Sequence, residues 1–256
     1  MNASYAIQRK SRPLLCLTPL SDPKSIETVE SGEEIILKSS TLLTKHQSDE
    51  ATFSLYDTID YSVDRWIQDK QYVPRMLASA VVFTISYFIF SLAVRDPIPM
   101  VDELVISTVL AVVTWRTIAR RDSRSALAQH RRHELKVRAS DRRTVIVDEL
   151  FALEAYLDNL ESYDTFSLAN GLCRVGDQAL PKLEHSLDEK TKDEVTDLLL
   201  LHLKRSDKHL YGLITKIGQL QQNKGSSPKL ASQLYQQAMG KGLDLPLIAL
   251  AVSLRI

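Results

Sequence analysis

Cysteine, glycine and recognisable catalytic motifs are the scarce commodities of this sequence. Its 2 cysteines, Cys16 and Cys173, lie too far apart in a 256-residue chain to suggest a disulfide framework, and they cannot supply a four-cysteine zinc module. A reducing compartment follows. The 8 glycines leave little for a phosphate-cradling loop, and the patterns GxxxxGK[ST], GxGxxG, HExxH, GxSxG and CxxC are all missing. His130 and His133 stand three apart on an expected helix, but no carboxylate or cysteine is spaced to complete a metal site with them. His202 and His209 read as surface residues, and no nucleophile has a base placed beside it. The expectation is a non-enzymatic protein with no catalytic, cofactor-binding or metal-binding residues and no cofactor.

Net charge is missing as well, since 32 Lys and Arg balance 32 Asp and Glu. The balance is made of unequal parts. Residues 120–143 hold 9 basic and 3 acidic residues, a +6 block, while the rest of the chain is mildly acidic. Just before that block sits nearly all the uncharged apolar length. Met76 to Val94 is 19 residues without charge, Gly or Pro, bracketed by Arg75 and Arg95. As a helix it measures roughly 28 Å, close to the hydrocarbon thickness of a bilayer.

A second apolar run, Leu104 to Trp115, is 12 residues long, and it grows to 20 from Met100 to Ala119 when Asp102, Glu103 and Arg116 are allowed to reach the headgroups. Together the runs predict a two-helix transmembrane hairpin over 76–119, with spans at 76–94 and 101–119. Small residues give the helices a packing stripe: Ser79, Ser86 and Ala93 on the first, Ser107 and Ala111 on the second. Basic flanks before and after the hairpin, against the mostly acidic turn Arg95 to Glu103, put both termini in the cytoplasm. A bacterial inner membrane is favoured; an organellar inner membrane is the alternative, because Arg9, Lys10 and Arg12 precede the first acid.

The remaining segments divide by pattern. Residues 1–48 read as mostly disordered. Residues 49–75 form a juxtamembrane amphipathic helix carrying Phe53, Tyr56, Ile59, Tyr61, Val63 and Trp66, with Pro74 at the junction. Residues 120–143 form a basic juxtamembrane helix in which Arg120, Arg121, Arg124, Arg131 and Arg132 would bind anionic lipid headgroups. Glycine and proline are missing from 101–170, so the second span is expected to run on into the cytoplasm as a long rod.

Residues 144–222 read as a helical coiled-coil-like bundle. Ile146, Leu150, Leu153, Leu157 and Leu160 make one seam; Leu199, Leu203, Leu210, Leu213, Ile217 and Leu220 make a second, suited to self-association. Thr191 and Glu194 suggest a capping box. Residues 223–256 contain a linker, a short helix and an apolar tail expected to cap the chain's own bundle.

The fold class is thus all-α: a transmembrane hairpin followed by a cytoplasmic bundle. The function read from it is a membrane anchor or scaffold whose partners are anionic lipid, a second copy or a cytoplasmic protein, and not nucleic acid, because the cations have no interleaved aromatic residues. The alternative is an oligomeric pore or permeabilising effector. There, Asp102 and Glu103 would ring the mouth of the second span.

Overall fold

The computed structural model describes residues 3–10, 12–29, 33–93, 101–176, 180, 181, 183, 187–207 and 209–255. In chain order the elements are β1 (Ala3–Ile7), β2 (Leu15–Leu17), α1 (Ser25–Thr28), β3 (Ile36–Ser39), α2 (Lys45–Lys70), α3 (Tyr72–Ala93), α4 (Val101–Ser123), α5 (Ala126–Ser140), β4 (Arg143–Ile146), α6 (Leu150–Ser162), α7 (Thr165–Leu172), α8 (Glu189–Ser206), α9 (Leu210–Gln222), α10 (Pro228–Lys241) and α11 (Leu245–Arg255). The chain is mostly helical, in keeping with the sequence reading, but the helices are organised around a small sheet that the reading did not contain.

The four strands lie in the order β2-β1-β3-β4, with β2 antiparallel to β1 and the other neighbours parallel. Residues 1–48, expected to be mostly disordered, supply three of those strands. Each is short, and helices cover both faces of the sheet. Tyr5, Ile7, Leu15 and Leu17 face the bundle of α6 to α11, while Ala6, Cys16 and Leu37 face α2 and α5. Strands β1 and β2 are buried nearly throughout and show no polar alternation, whereas β3 alternates half-buried with buried residues and β4 is mostly exposed, each over only 4 residues.

The pairing of β3 with β4 fixes the architecture. Ile36 lies opposite Arg143 and Ser39 opposite Ile146, so the crossover between these parallel strands contains all of α2, α3, α4 and α5. Helices α2 and α5 pack on the sheet through Leu55, Ile59, Val63, Leu135 and Ala139, and α3 and α4 pack on each other as an antiparallel hairpin inserted between them. Thr44 and Gln47 form the capping box that starts α2. Only Gln71 separates α2 from α3, and Pro74 sits in the first turn of α3, where its missing N–H breaks no helical bond.

Three helical expectations are corrected. The long rod beyond the second apolar run is interrupted after Ser123, where Ser125 caps a new helix by accepting from Ala128 N, and again by β4. Ile146 belongs to β4 and is half exposed, whereas Leu150, Leu153, Leu157 and Leu160 are buried on α6. Glu194 caps nothing: α8 begins at Glu189, and the Glu194 carboxylate accepts a 2.6 Å hydrogen bond from the Tyr5 hydroxyl instead. The apolar tail is α11, and it forms the centre of the bundle. Ile248, Ala249, Leu250 and Ala251 have no exposed surface at all.

Candidate membrane interface

Helix α3 contains the one stretch among the described residues that is long and apolar enough to cross a membrane, Tyr72–Leu92, and 11% of its most apolar window is buried. The rest is a shell of exposed apolar side chains, including Val81, Ile85, Phe88 and Ile89 on α3 and Val105, Val109 and Val113 on α4. Water tolerates scattered apolar residues, but not a contiguous sleeve of this size on two helices. Helix α4 falls short of a span by the same measure, since Asp102, Glu103, Arg116, Arg120 and Arg121 interrupt it.

Helices α3 and α4 meet along small side chains. Ser79, Ser86 and Ser107 are buried and Ala111 is half-buried, so small side chains let the backbones approach. Ser86 returns its hydroxyl proton to the Val82 carbonyl of its own helix at 2.7 Å. Ala93 closes α3, but its side chain lies outside the described residues, as does the whole of the turn Arg95 to Met100.

At the end of the hairpin nearest the sheet, polar and aromatic groups converge. Arg75 is 4% exposed, donates to Asp122 at 2.9 Å and lies 5.3 Å from the centroid of Trp115. Trp115 in turn meets the edge of Tyr72 at 5.4 Å. An amphipathic aromatic pair at the end of an apolar sleeve has the composition of a headgroup-level belt. The exposed stripe of α4 turns cationic beside it: Val109 and Val113 are followed by Arg116, Arg120, Arg121 and Arg124, all exposed.

The remaining two of the five arginines expected to bind lipid, Arg131 and Arg132, are spent on the fold. Arg131 donates to the carbonyls of Ile26 and Val29 at 2.7 and 2.6 Å and pairs with Glu134. Arg132 donates to the Ser123 carbonyl and pairs with Asp64 and Asp60; Lys136 pairs with Asp60, and Arg142 reaches Ser48 and Thr52. Arg132 and Lys136 of α5 thus bind the acidic face of α2, and Arg131 holds the carbonyls of Ile26 and Val29 at α1. Arg131 and Arg132 are removed from the lipid-facing set on that ground.

The two carboxylates proposed for a pore mouth separate. Asp102 is exposed, whereas Glu103 is 4% exposed and turned into the hairpin. The second leucine seam is also used internally. Leu199, Leu203, Leu210 and Ile217 are buried against α11 and the sheet, Leu213 and Leu220 pack at their margin, and the seam is broken into two helices at Asp207. It is a core and not a self-association surface.

A polar cleft of about 270 Å³ opens at the carboxyl end of β1, lined by Gln8, Lys10, Arg12, Gln47, Glu50 and Glu154. Burial raises the pKa of Glu154, whose carboxylate accepts from Gln8 N at 2.8 Å. His202, read as a surface residue, is half-buried, and burial followed by the charge of Arg205 lowers its pKa. Cys16 is fully buried and its thiol is pushed up to about 12, which leaves it unreactive. No group of three His, Cys, Asp or Glu able to hold a metal occurs among the described residues. No protein-family model, curated protein or solved structure matches the chain.

Proposed function

We propose that this protein is a non-enzymatic membrane anchor or scaffold, in which a two-span hairpin of α3 and α4 holds the sheet and its helices against the inner face of a bilayer. The observation that carries the reading is the exposed apolar sleeve of the two helices, which nothing among the described residues covers and which is bounded by Tyr72, Trp115 and exposed arginines. For α4 to cross, Asp102 and Arg116 must reach opposite headgroup layers, and Glu103 must stay in the hairpin where it is buried.

Insertion of the hairpin into the β3 to β4 crossover supports a role in fixing orientation. Both ends of the hairpin are held by helices that pack on one sheet face, so the folded part has a defined pose at the membrane instead of a flexible tether. Strand β1 and α11 belong to the same core, which supports a reading with both on one side of the bilayer, and the basic flanks favour the cytoplasm for that side. Arg116, Arg120, Arg121 and Arg124 then meet anionic headgroups, and a cytoplasmic protein or a second copy binds the exposed surface of the module.

Single-cysteine accessibility in sealed inner-membrane vesicles tests this arrangement, in a background with Cys16 and Cys173 replaced by serine. Cysteines at Gly225 and at Pro97 are expected to label from opposite sides of the bilayer. Labelling from the same side overturns the two-span reading, and complete extraction of the protein by alkaline carbonate overturns the anchor itself.

A further inference from the structure

Strand β4 ends the sheet, and β3 is its one strand partner among the described residues. The backbone bonds between them show which groups stay open. Arg143 N donates to the Ile35 carbonyl and, one residue past the strand, Val147 N donates to the Ser39 carbonyl. Alternate residues of a strand bond to the same side, so Arg143, Val145 and Val147 serve β3. Thr144 and Ile146 therefore turn their N–H and C=O groups away from the sheet, and both residues are exposed.

An open sheet edge invites another strand, and such edges are ordinarily guarded by a proline, a central charge or a covering element. The centre of β4 has none of these among the described residues. Thr144, Val145 and Ile146 are neutral, and Ile146 leaves 49% of its surface exposed. Charge stands only at the two ends, and it differs in sign between them. Exposed Arg143 opens the strand, while exposed Asp148 and Glu149 follow it in the turn before α6. A strand that is basic at its start and acidic past its end complements itself when run antiparallel, since each cation then meets the other copy's acids.

We propose that β4 pairs antiparallel with β4 of a second copy, about a twofold axis at Val145, joining the two four-stranded sheets edge to edge. Thr144 of each copy exchanges N–H···O bonds with Ile146 of the other, Val145 faces Val145, and Arg143 comes beside the turn that holds Asp148 and Glu149. The axis is normal to the sheet, so α2 and α5 of both copies, which carry the hairpins, stay on one face of the joined sheet. The pairing gives the proposed anchor its partner, and it does not require that the hairpin span a membrane.

Disulfide cross-linking of the full chain in detergent tests the register, with the buried Cys16 and Cys173 left in place. Val145→Cys is expected to form a covalent dimer, because residues that face each other between ladder bonds bring their Cα atoms to roughly 4.5 Å. Arg143→Cys, which faces Val147 of the other copy and not itself, should stay uncross-linked. In light scattering the unaltered protein should dimerise reversibly. Thr144→Pro removes an outward N–H without touching the bonds to β3, and it should abolish the dimer while the melting temperature stays near that of the unaltered protein. Arg143→Glu should weaken dimerisation about tenfold, and adding Asp148→Lys and Glu149→Lys to it should restore the dimer. Three results overturn the proposal: equal cross-linking of the two cysteine variants, an unchanged dimer in folded Thr144→Pro, or a protein still monomeric at concentrations on the order of 100 μM, which would leave the edge to a strand of a different protein.

Discussion

Arg75 in the first turn of α3 and Asp122 in the last turn of α4 are joined by a 2.9 Å ion pair that closes the base of the apolar hairpin. The arginine is buried and the carboxylate partly so, and Trp115 covers the guanidinium face. Loss of Asp122 strands a buried cation, while loss of both partners strands nothing. Asp122→Asn is therefore expected to destabilise the protein by about 2–4 kcal/mol, and Arg75→Met together with Asp122→Asn by less than the sum of the single changes. Denaturant unfolding of the four proteins in one detergent checks this; additive effects would mean that the pair does not hold the hairpin closed.

The division of the arginines gives a second expectation. Replacing Arg120, Arg121 and Arg124 with Gln should leave the melting temperature nearly unchanged, because all three are exposed. It should weaken stabilisation by added anionic lipid by about 1 kcal/mol per residue at ordinary salt. Arg131→Gln should do the reverse: it deprives the carbonyls of Ile26 and Val29 of their donor and lowers the melting temperature without changing the lipid response. Thermal unfolding with and without phosphatidylglycerol separates the two classes.

The leucine seam makes a third. Leu203 is 3% exposed inside the helical core, so Leu203→Ala should cost about 2–4 kcal/mol and leave the oligomeric state as it was. A self-association seam predicts the opposite pattern: a change of mass in light scattering with little loss of protomer stability.

What the sequence made legible follows from what each segment buries. An apolar run of 19 residues between arginines needs no tertiary context, and the structure has a helix there with its apolar side chains outward. Ser79, Ser86 and Ser107 are buried for a related reason, since small residues at helical spacing suit the close approach of two paired helices. A 4,3 leucine spacing is less specific. It marks a face to be buried without saying against what, and α11 rather than a second copy covers Leu199 and Leu203. The sheet was hidden because its strands have 3 to 5 residues and pair across long stretches of chain: Ile36 finds Arg143. The basic block was misjudged where charge counting could not see that α2 offers Asp60 and Asp64 to Arg132.

His202 supplies the last expectation, a dependence of stability on pH. The imidazole is half-buried on α8, and burial, then the charge of Arg205, then that of Arg9, depress its pKa against the opposing pull of Asp244. A histidine with its folded pKa below the unfolded value binds fewer protons when folded, so protonation favours the unfolded chain. Stability is fully present above the ordinary histidine value of about 6.5 and falls as the pH drops from there toward the folded pKa. His202→Gln keeps a polar side chain that does not titrate, and it should flatten this part of the curve while leaving any fall at lower pH, where carboxylates such as Glu194 begin to protonate. Comparison of melting temperatures between pH 7.5 and 5.5, for the two proteins in the same detergent, decides it. Parallel curves would remove His202 as the source.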